Sequence, residues 1–254
     1  MRKALLASLK RSLQGRGFLL AFLGAALVVL FAAFESFLGA FRSEQLLPYG
    51  YHHSLILSAL SSQPMALALP ILCALPYTAA FLDDVKSGFI KAYLPRTTVT
   101  RYITSQALAC AISGGLALFM GILVAYGLAA LLLLPLEAMR DYLLEPPGYF
   151  LQLLEILVMF FASGAFWALV GLTFATLTNS RYMAYASPFV LFYLLVILYE
   201  RYFDKLYILY PREWLNPSGR WVFGRIGVAV LLLELSALMA LLFAWAAKRR
   251  LRQI

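Results

Sequence analysis

Apolar residues run almost without interruption through six stretches of the chain, at 17–34, 63–82, 104–134, 149–177, 183–199 and 222–247. A helix needs about 20 such residues to cross the hydrocarbon of a bilayer. The runs do not alternate every second residue, which favours helices over barrel strands. The pattern therefore predicts an all-α integral membrane protein with six transmembrane helices in one membrane domain, 1–254. The third and fourth runs exceed the spanning length, so they tilt or project; Gly114, Gly115, Gly121 and Gly127 give the third places to bend or pack closely. The fifth run is short and contains Pro188.

The polar stretches between the runs carry their own patterns. Before the first run, Leu5, Leu6, Leu9 and Leu13 share an arc of roughly 100° on a helical wheel, with Lys3, Lys10, Arg11 and Gln14 opposite. Residues 1–16 thus suit a helix lying in the membrane interface, although a basic flank without fixed structure has the same composition. The first run shows no small-residue cleavage site, so it reads as a true span and not as a signal peptide.

The longest hydrophilic interruption in the apolar middle is 83–101. Asp83 and Asp84 end the second span, Ser87-Gly88 breaks the helix, and Phe89, Ile90, Tyr93 and Leu94 follow at i, i+1, i+4, i+5 spacing beside Lys86 and Lys91. Pro95 stops this short helix, and Thr97 or Thr98 is placed to cap the third span. An apolar ridge with basic neighbours suits docking into a groove of a soluble subunit; resting on lipid headgroups is the other reading. The connector 200–221 is rich in interface-seeking rings, among them Tyr202, Phe203, Tyr207, Tyr210, Trp214 and Trp221. It reads either as short helices ended by Pro211 and Pro217, re-entering the outer leaflet as a lid, or as an ordinary aromatic belt.

Composition excludes a soluble globule, because 63% of the residues are hydrophobic and only 13% are charged. In a membrane protein the net charge of +9 matters through its placement and does not point to nucleic acid. Arg2, Lys3, Lys10, Arg11 and Arg16, then Lys86, Lys91, Arg96 and Arg101, then Arg181, then Lys248, Arg249, Arg250 and Arg252 all fall on one side of a six-span topology. That side is expected to be cytoplasmic, with both termini on it. Arg201, Lys205, Arg212 and Arg220 run against this rule on the opposite side. Cys73 and Cys110 lie in apolar runs without metal-ligand spacing and read as packing residues.

Chemistry-bearing motifs are scarce. The chain has no GxxxxGK[ST] phosphate loop, no GxSxG and no HExxH, so neither an ATP site nor a catalytic centre of its own is expected. Its two histidines, His52 and His53, fall in an expected outer loop and read as solvated. Among charges within the spans, Glu234 is the strongest candidate for a polar transport pathway, with a hydrogen-bonded structural carboxyl as the other reading. Arg225 and Glu155 lie nearer span ends and are expected to snorkel to the interface. Gly164, Ala168 and Leu172 partly form a small-residue face, and Ser236, Ala240 and Ala244 form a clean one suited to close helix approach.

The basic amphipathic start, six spans with both ends inside, the loop SGFIKAYLPRTTVTRYITSQ between spans two and three, and the aromatic connector after span five together resemble the type-2 ABC exporter permeases. Gly88, Lys91, Pro95, Arg96, Arg101, Tyr102 and Ile103 are the most specific part of the likeness; the rest is hydropathy along the whole chain. The resemblance implies that Gly88, Phe89, Ile90, Lys91, Ala92, Tyr93 and Leu94 form a coupling helix docking on a separate ABC ATPase, and that 5–13 is an interfacial helix. It further implies that ATP and Mg bind the partner, with no cofactor on this chain, and that two permease chains, identical or homologous, pair in the bilayer. The exporter would move an amphipathic peptide, drug or lipid-like substrate, as in immunity or resistance. A stand-alone ion-coupled transporter or membrane-embedded binding subunit using Glu234, and Glu155 with it, is the alternative.

Overall fold

The computed structural model of the chain describes residues 2–43, 45–93, 95, 97–138, 148–203, 205–221 and 223–253. In chain order the helices are α1 (Arg2–Leu13), α2 (Arg16–Ala32), α3 (Phe34–Arg42), α4 (Tyr51–Leu60), α5 (Gln63–Leu72), α6 (Ala80–Lys86), α7 (Phe89–Tyr93), α8 (Val99–Leu133), α9 (Tyr149–Thr178), α10 (Arg181–Arg201) and α11 (Gly224–Leu251). Among the described residues no strand forms; the one β-type pairing is an isolated parallel bridge between Leu47 and Glu137. Four helices, α8 to α11, are long and apolar enough to cross a membrane. The bent pairs α1–α2 (54°) and α4–α5 (65°) raise the number of candidate spans to as many as six.

The second apolar run, expected as one helix over 63–82, is broken. α5 stops at Leu72, turns occupy 73–79, and α6 begins at Ala80. Ahead of Pro76 the chain tightens, with Ala74 N–H donating to the Ile71 carbonyl and Leu75 N–H to the Leu72 carbonyl. Pro76 has no N–H to extend a helical ladder, so the ladder ends there. The fifth run shows the opposite outcome. α10 is 21 residues long and passes through Pro188. The carbonyl that Pro188 leaves without its helical partner belongs to Ala184, and it lies against Gly171 of α9, where any side chain would collide with it. The left-handed Asn179 at φ 58° closes α9 just before Arg181 starts α10.

α8 is the organising element and packs on α1, α2, α4, α5, α9 and α11. Gly114 and Gly115 admit the backbone and side chains of α9 around Phe161, Gly164 and Ala168, while Gly121 admits Phe22 and Ala25 of α2; Gly127 faces open space. Small residues at such crossings let helix backbones approach closely enough for dispersion contacts to hold them in an apolar solvent. The outward surface is apolar, with Leu20, Leu27 and Phe31 on α2, Val190 and Ile197 on α10, and Leu233 and Leu241 on α11 all exposed. So broad a belt would associate in water and is solvated by acyl chains, which is consistent with a multi-pass membrane protein.

After α10, the described residues hold one 3₁₀ turn, Tyr207–Leu209, followed by hydrogen-bonded turns, in place of the expected Pro-ended helices. Asp204 lies outside the described residues. The segment is nevertheless fastened down by Trp214, which is 1% exposed, stacks on Trp167 and meets Phe166 edge-on. Its indole N–H donates to the Ile208 carbonyl at 2.8 Å.

Candidate functional site

The polar loop after α6 is built upon a buried carboxylate. Asp84 is 2% exposed, yet it accepts hydrogen bonds from Arg11 Nη1 (2.6 Å), the Tyr102 hydroxyl (2.7 Å) and Gln106 Nε2 (2.9 Å). A buried charge is tolerated only when its lone pairs are met, and here α1 and α8 supply the donors. Arg11, expected to face lipid headgroups, instead reaches inward, so α1 is tied to the bundle by charge as well as by Leu9 in the apolar cluster. Beside it, Asp83 accepts from Arg181 Nε at 2.6 Å and links α6 to the start of α10. Arg250 donates to the Thr176 carbonyl at 2.6 Å, placing a cation on the C-terminal end of α9, where the helix dipole favours it.

From this base the chain turns at Gly88, whose φ of +73° suits glycine and ends α6. α7 then runs for five residues, Phe89–Tyr93. Ile90 is 2% exposed and packs with Phe81, Tyr102, Ile103 and Phe243. Tyr93 is half-buried against Tyr102, with ring centroids 5.7 Å apart. Phe89 stacks on Tyr93 at 5.3 Å but stays 46% exposed, and Lys91 and Ala92 are exposed beside it. Leu94 and Arg96 lie outside the described residues. Thr98 caps α8, its side chain accepting from the Arg101 N–H at 3.4 Å, one of the two positions expected for that role.

Glu234 stands apart from this group. It is exposed on the outer face of α11 beside Leu233, so it does not point into the bundle of this chain. Arg225 and Glu155, both expected to snorkel to the interface, form an ion pair with one another between α11 and α9.

At the other end of α8 the structure assembles a centre that the sequence reading passed over. His52 and His53 are not solvated; they sit in the first turn of α4, 8% and 3% exposed. Glu137, also 8% exposed, is positioned by the bridge between Leu47 and the end of α8, in which Leu47 N–H donates to the Leu136 carbonyl at 2.9 Å and Ala138 N–H to the Leu47 carbonyl at 2.8 Å. Its carboxylate accepts from the backbone N–H of Gly50 at 3.0 Å and of His52 at 2.7 Å, thereby capping α4 from a distant segment, and it lies 2.7 Å from His52 Nδ1. A carboxylate only accepts, so Nδ1 carries a proton toward it, and Nε2 meets the Tyr126 hydroxyl at 3.2 Å. His53 stacks on Tyr149 at 4.6 Å and meets Gln152 Oε1 through Nε2 at 3.1 Å. Burial raises the pKa of Glu137, but the donors from the His52 backbone, the His52 ring and Gly50 outweigh it and hold the carboxyl below its ordinary value. In the sequence, only Gly50 before the His pair hinted at a backbone position of special geometry; the Glu137 partner is 85 residues away from His52.

A cavity of ≈ 360 Å³ lies between the α4–α5 break, α9, the start of α11 and the connector after α10. Among the described residues no group of three or more His, Cys, Asp and Glu side chains is placed to hold a metal ion. No protein-family model matches the chain, and no curated protein matches it.

Proposed function

We propose that the chain is the membrane-spanning permease subunit of an ATP-driven exporter, with α7 as the coupling helix that receives a separate ATPase on the cytoplasmic side. The observation that carries this reading is the mounting of α7. One side of it is fixed by Ile90 and Tyr93, the other presents Phe89 and Lys91, and Tyr102 beneath it bonds the same Asp84 that holds Arg11. A load on α7 therefore meets one joined unit of α1, α6 and α8, and rigid displacement of packed helices is how such bundles switch between states. ATP and Mg belong to the partner, consistent with the missing phosphate loop.

In this reading the exposed face of α11 that carries Glu234 and Leu233 meets a second permease chain, and the transport pathway runs between the two chains. Both termini are cytoplasmic, six spans cross a bacterial plasma membrane, and the substrate is an amphipathic peptide, drug or lipid. The ion-coupled alternative draws less support, because Glu155, its second proton carrier, is already paired with Arg225.

The test is co-purification with an ATPase encoded beside this chain, together with ATP hydrolysis in the complex. Phe89→Asp and Lys91→Glu, both at exposed positions, are expected to lower ATPase binding at least tenfold while leaving thermal unfolding of the permease unchanged. Full binding and full coupling in both variants would falsify the coupling role of α7.

A further inference from the structure

The cavity under the connector has walls of two kinds. Leu57 and Leu60 from α4, Ala66 from α5, and Ile156 and Phe160 from α9 form an apolar side. The polar side carries Arg212, Glu213 and Arg225 and centres on Arg212. Its Nη2 donates to Gln63 Oε1 at 2.8 Å, Glu200 is 3.8 Å from Nη1, and its buried Nε has no partner. A guanidinium has five N–H donors in a planar fork, so one amide oxygen and one distant carboxylate leave it well short of satisfied. Of the other charges on the lining, Glu213 is an anion that accepts from the Ser218 N–H at 2.8 Å and Arg225 is paired with Glu155, so Arg212 is the cation left most open.

The backbone adds to the same sign. α5 begins at this wall, and its N-cap residue Ser62 does not cap it, because the Ser62 hydroxyl turns back to the Ala59 carbonyl at 2.5 Å. Pro64 in the first turn has no N–H and the Ala66 N–H already bonds the Ser62 carbonyl, so the helix start offers at most the N–H groups of Gln63 and Met65 together with the positive end of the dipole. The 65° bend at 61–63 is what brings that helix start to the cavity wall instead of continuing one helix past it.

We infer that this cavity binds the oxyanion end of an amphipathic molecule, with the anionic group on Arg212 at the start of α5 and the apolar part along Leu57, Leu60, Ile156 and Phe160. Describing it as a substrate site rests on the transporter reading above; occupancy by an anionic amphipath does not. The volume is at the small end for ligand sites, enough for a headgroup and the first part of a chain, with the remainder outside. A carboxylate, phosphate or sulfate meets the same fork, so an anionic lipid headgroup and a free anionic amphiphile share this chemistry.

The full-length chain in phosphatidylcholine nanodiscs is titrated with N-lauroylglycine, dodecyl phosphate and the cationic dodecyltrimethylammonium. The two anionic probes are expected to bind at least tenfold more tightly than the cation. Arg212→Gln should weaken the anionic probes about tenfold or more, Arg212→Lys should restore part of that loss, and Ile156→Trp should block binding by filling the cavity. Thermal unfolding of each variant separates lost binding from lost folding. Adding phosphatidylglycerol to the nanodiscs identifies the source: a weaker apparent affinity for dodecyl phosphate in the wild type, absent in Arg212→Gln, assigns the site to a lipid headgroup, and an unchanged affinity assigns it to a free amphiphile. Equal binding of anionic and cationic probes, or unchanged affinity in both Arg212→Gln and Ile156→Trp when folded, overturns the inference. Because no ATPase is present, charge-selective binding without ATPase coupling keeps this site and removes the exporter reading.

Discussion

The two ends of α8 are secured by the same device made in different chemistry. Near its start, Asp84 gathers the side chains of Arg11, Tyr102 and Gln106; at its far end, Glu137 gathers two backbone N–H groups and the ring of His52. The first is anchored by a permanent cation and ties α1, α6 and α8 together through long side chains. The second is a helix cap completed by the His52 ring, and it ties a loop to α4. The end beneath α7 therefore joins three helices through side chains alone, whereas the far end joins a loop to a helix start largely through backbone groups. At the far end those donors hold the Glu137 carboxyl below its ordinary value.

The largest expected effect is at Asp84. Asp84→Ala leaves the buried Tyr102 hydroxyl and Gln106 amide without their acceptor, at about 1–3 kcal/mol each, while the half-exposed Arg11 returns to water. Thermal unfolding in detergent should show this as the most destabilised variant. A smaller loss than that of Glu137→Gln would reverse the order claimed for the two ends.

Glu137→Gln comes next, at about 1–3 kcal/mol, since the amide keeps one acceptor but gives up the charge that two N–H groups and the His52 ring address. It also carries the pH signature. The ordinary value of this carboxyl is 4.5 and the native one lies lower, so its contribution is complete above pH 4.5 and is lost as the pH falls through the depressed native value. Unfolding temperature measured down through that window should fall more steeply in the wild type than in Glu137→Gln. Identical acid limbs would remove the titratable character assigned to this end.

The smallest effect belongs to Thr98→Ala. Its cap bond to the Arg101 N–H is long at 3.4 Å and exposed, so about 0.5 kcal/mol is expected, at the low end for such caps. A loss comparable to that of Asp84→Ala would mean that the start of α8 is held by its cap and not by the buried carboxylate.

Local features were the legible ones. Gly88 and Thr98 act through their own backbone positions, so the turn after α6 and the start of α8 could be read from neighbouring residues. The prolines show where local reading stops. Pro76 ends a helix and Pro188 does not, because Gly171 on a neighbouring helix makes room for the freed Ala184 carbonyl. The candidate site was legible only as a surface: the ridge of Phe89 and Tyr93 was visible at helical spacing, whereas the joint beneath it depends on Arg11 and Asp84, 73 residues apart. His52 and His53 were misplaced for the same reason, since their burial depends on Glu137 and Gln152.

Hydropathy and its period by themselves determined that this chain is helical and suited to a bilayer, because both follow from how many consecutive residues avoid water. Which carboxylates are buried, where a span breaks, and that Trp214 fastens the connector onto Trp167 were decided only in three dimensions. A buried charge or an interrupted helix is stable solely through partners that arrive from remote segments. No local pattern encodes their arrival.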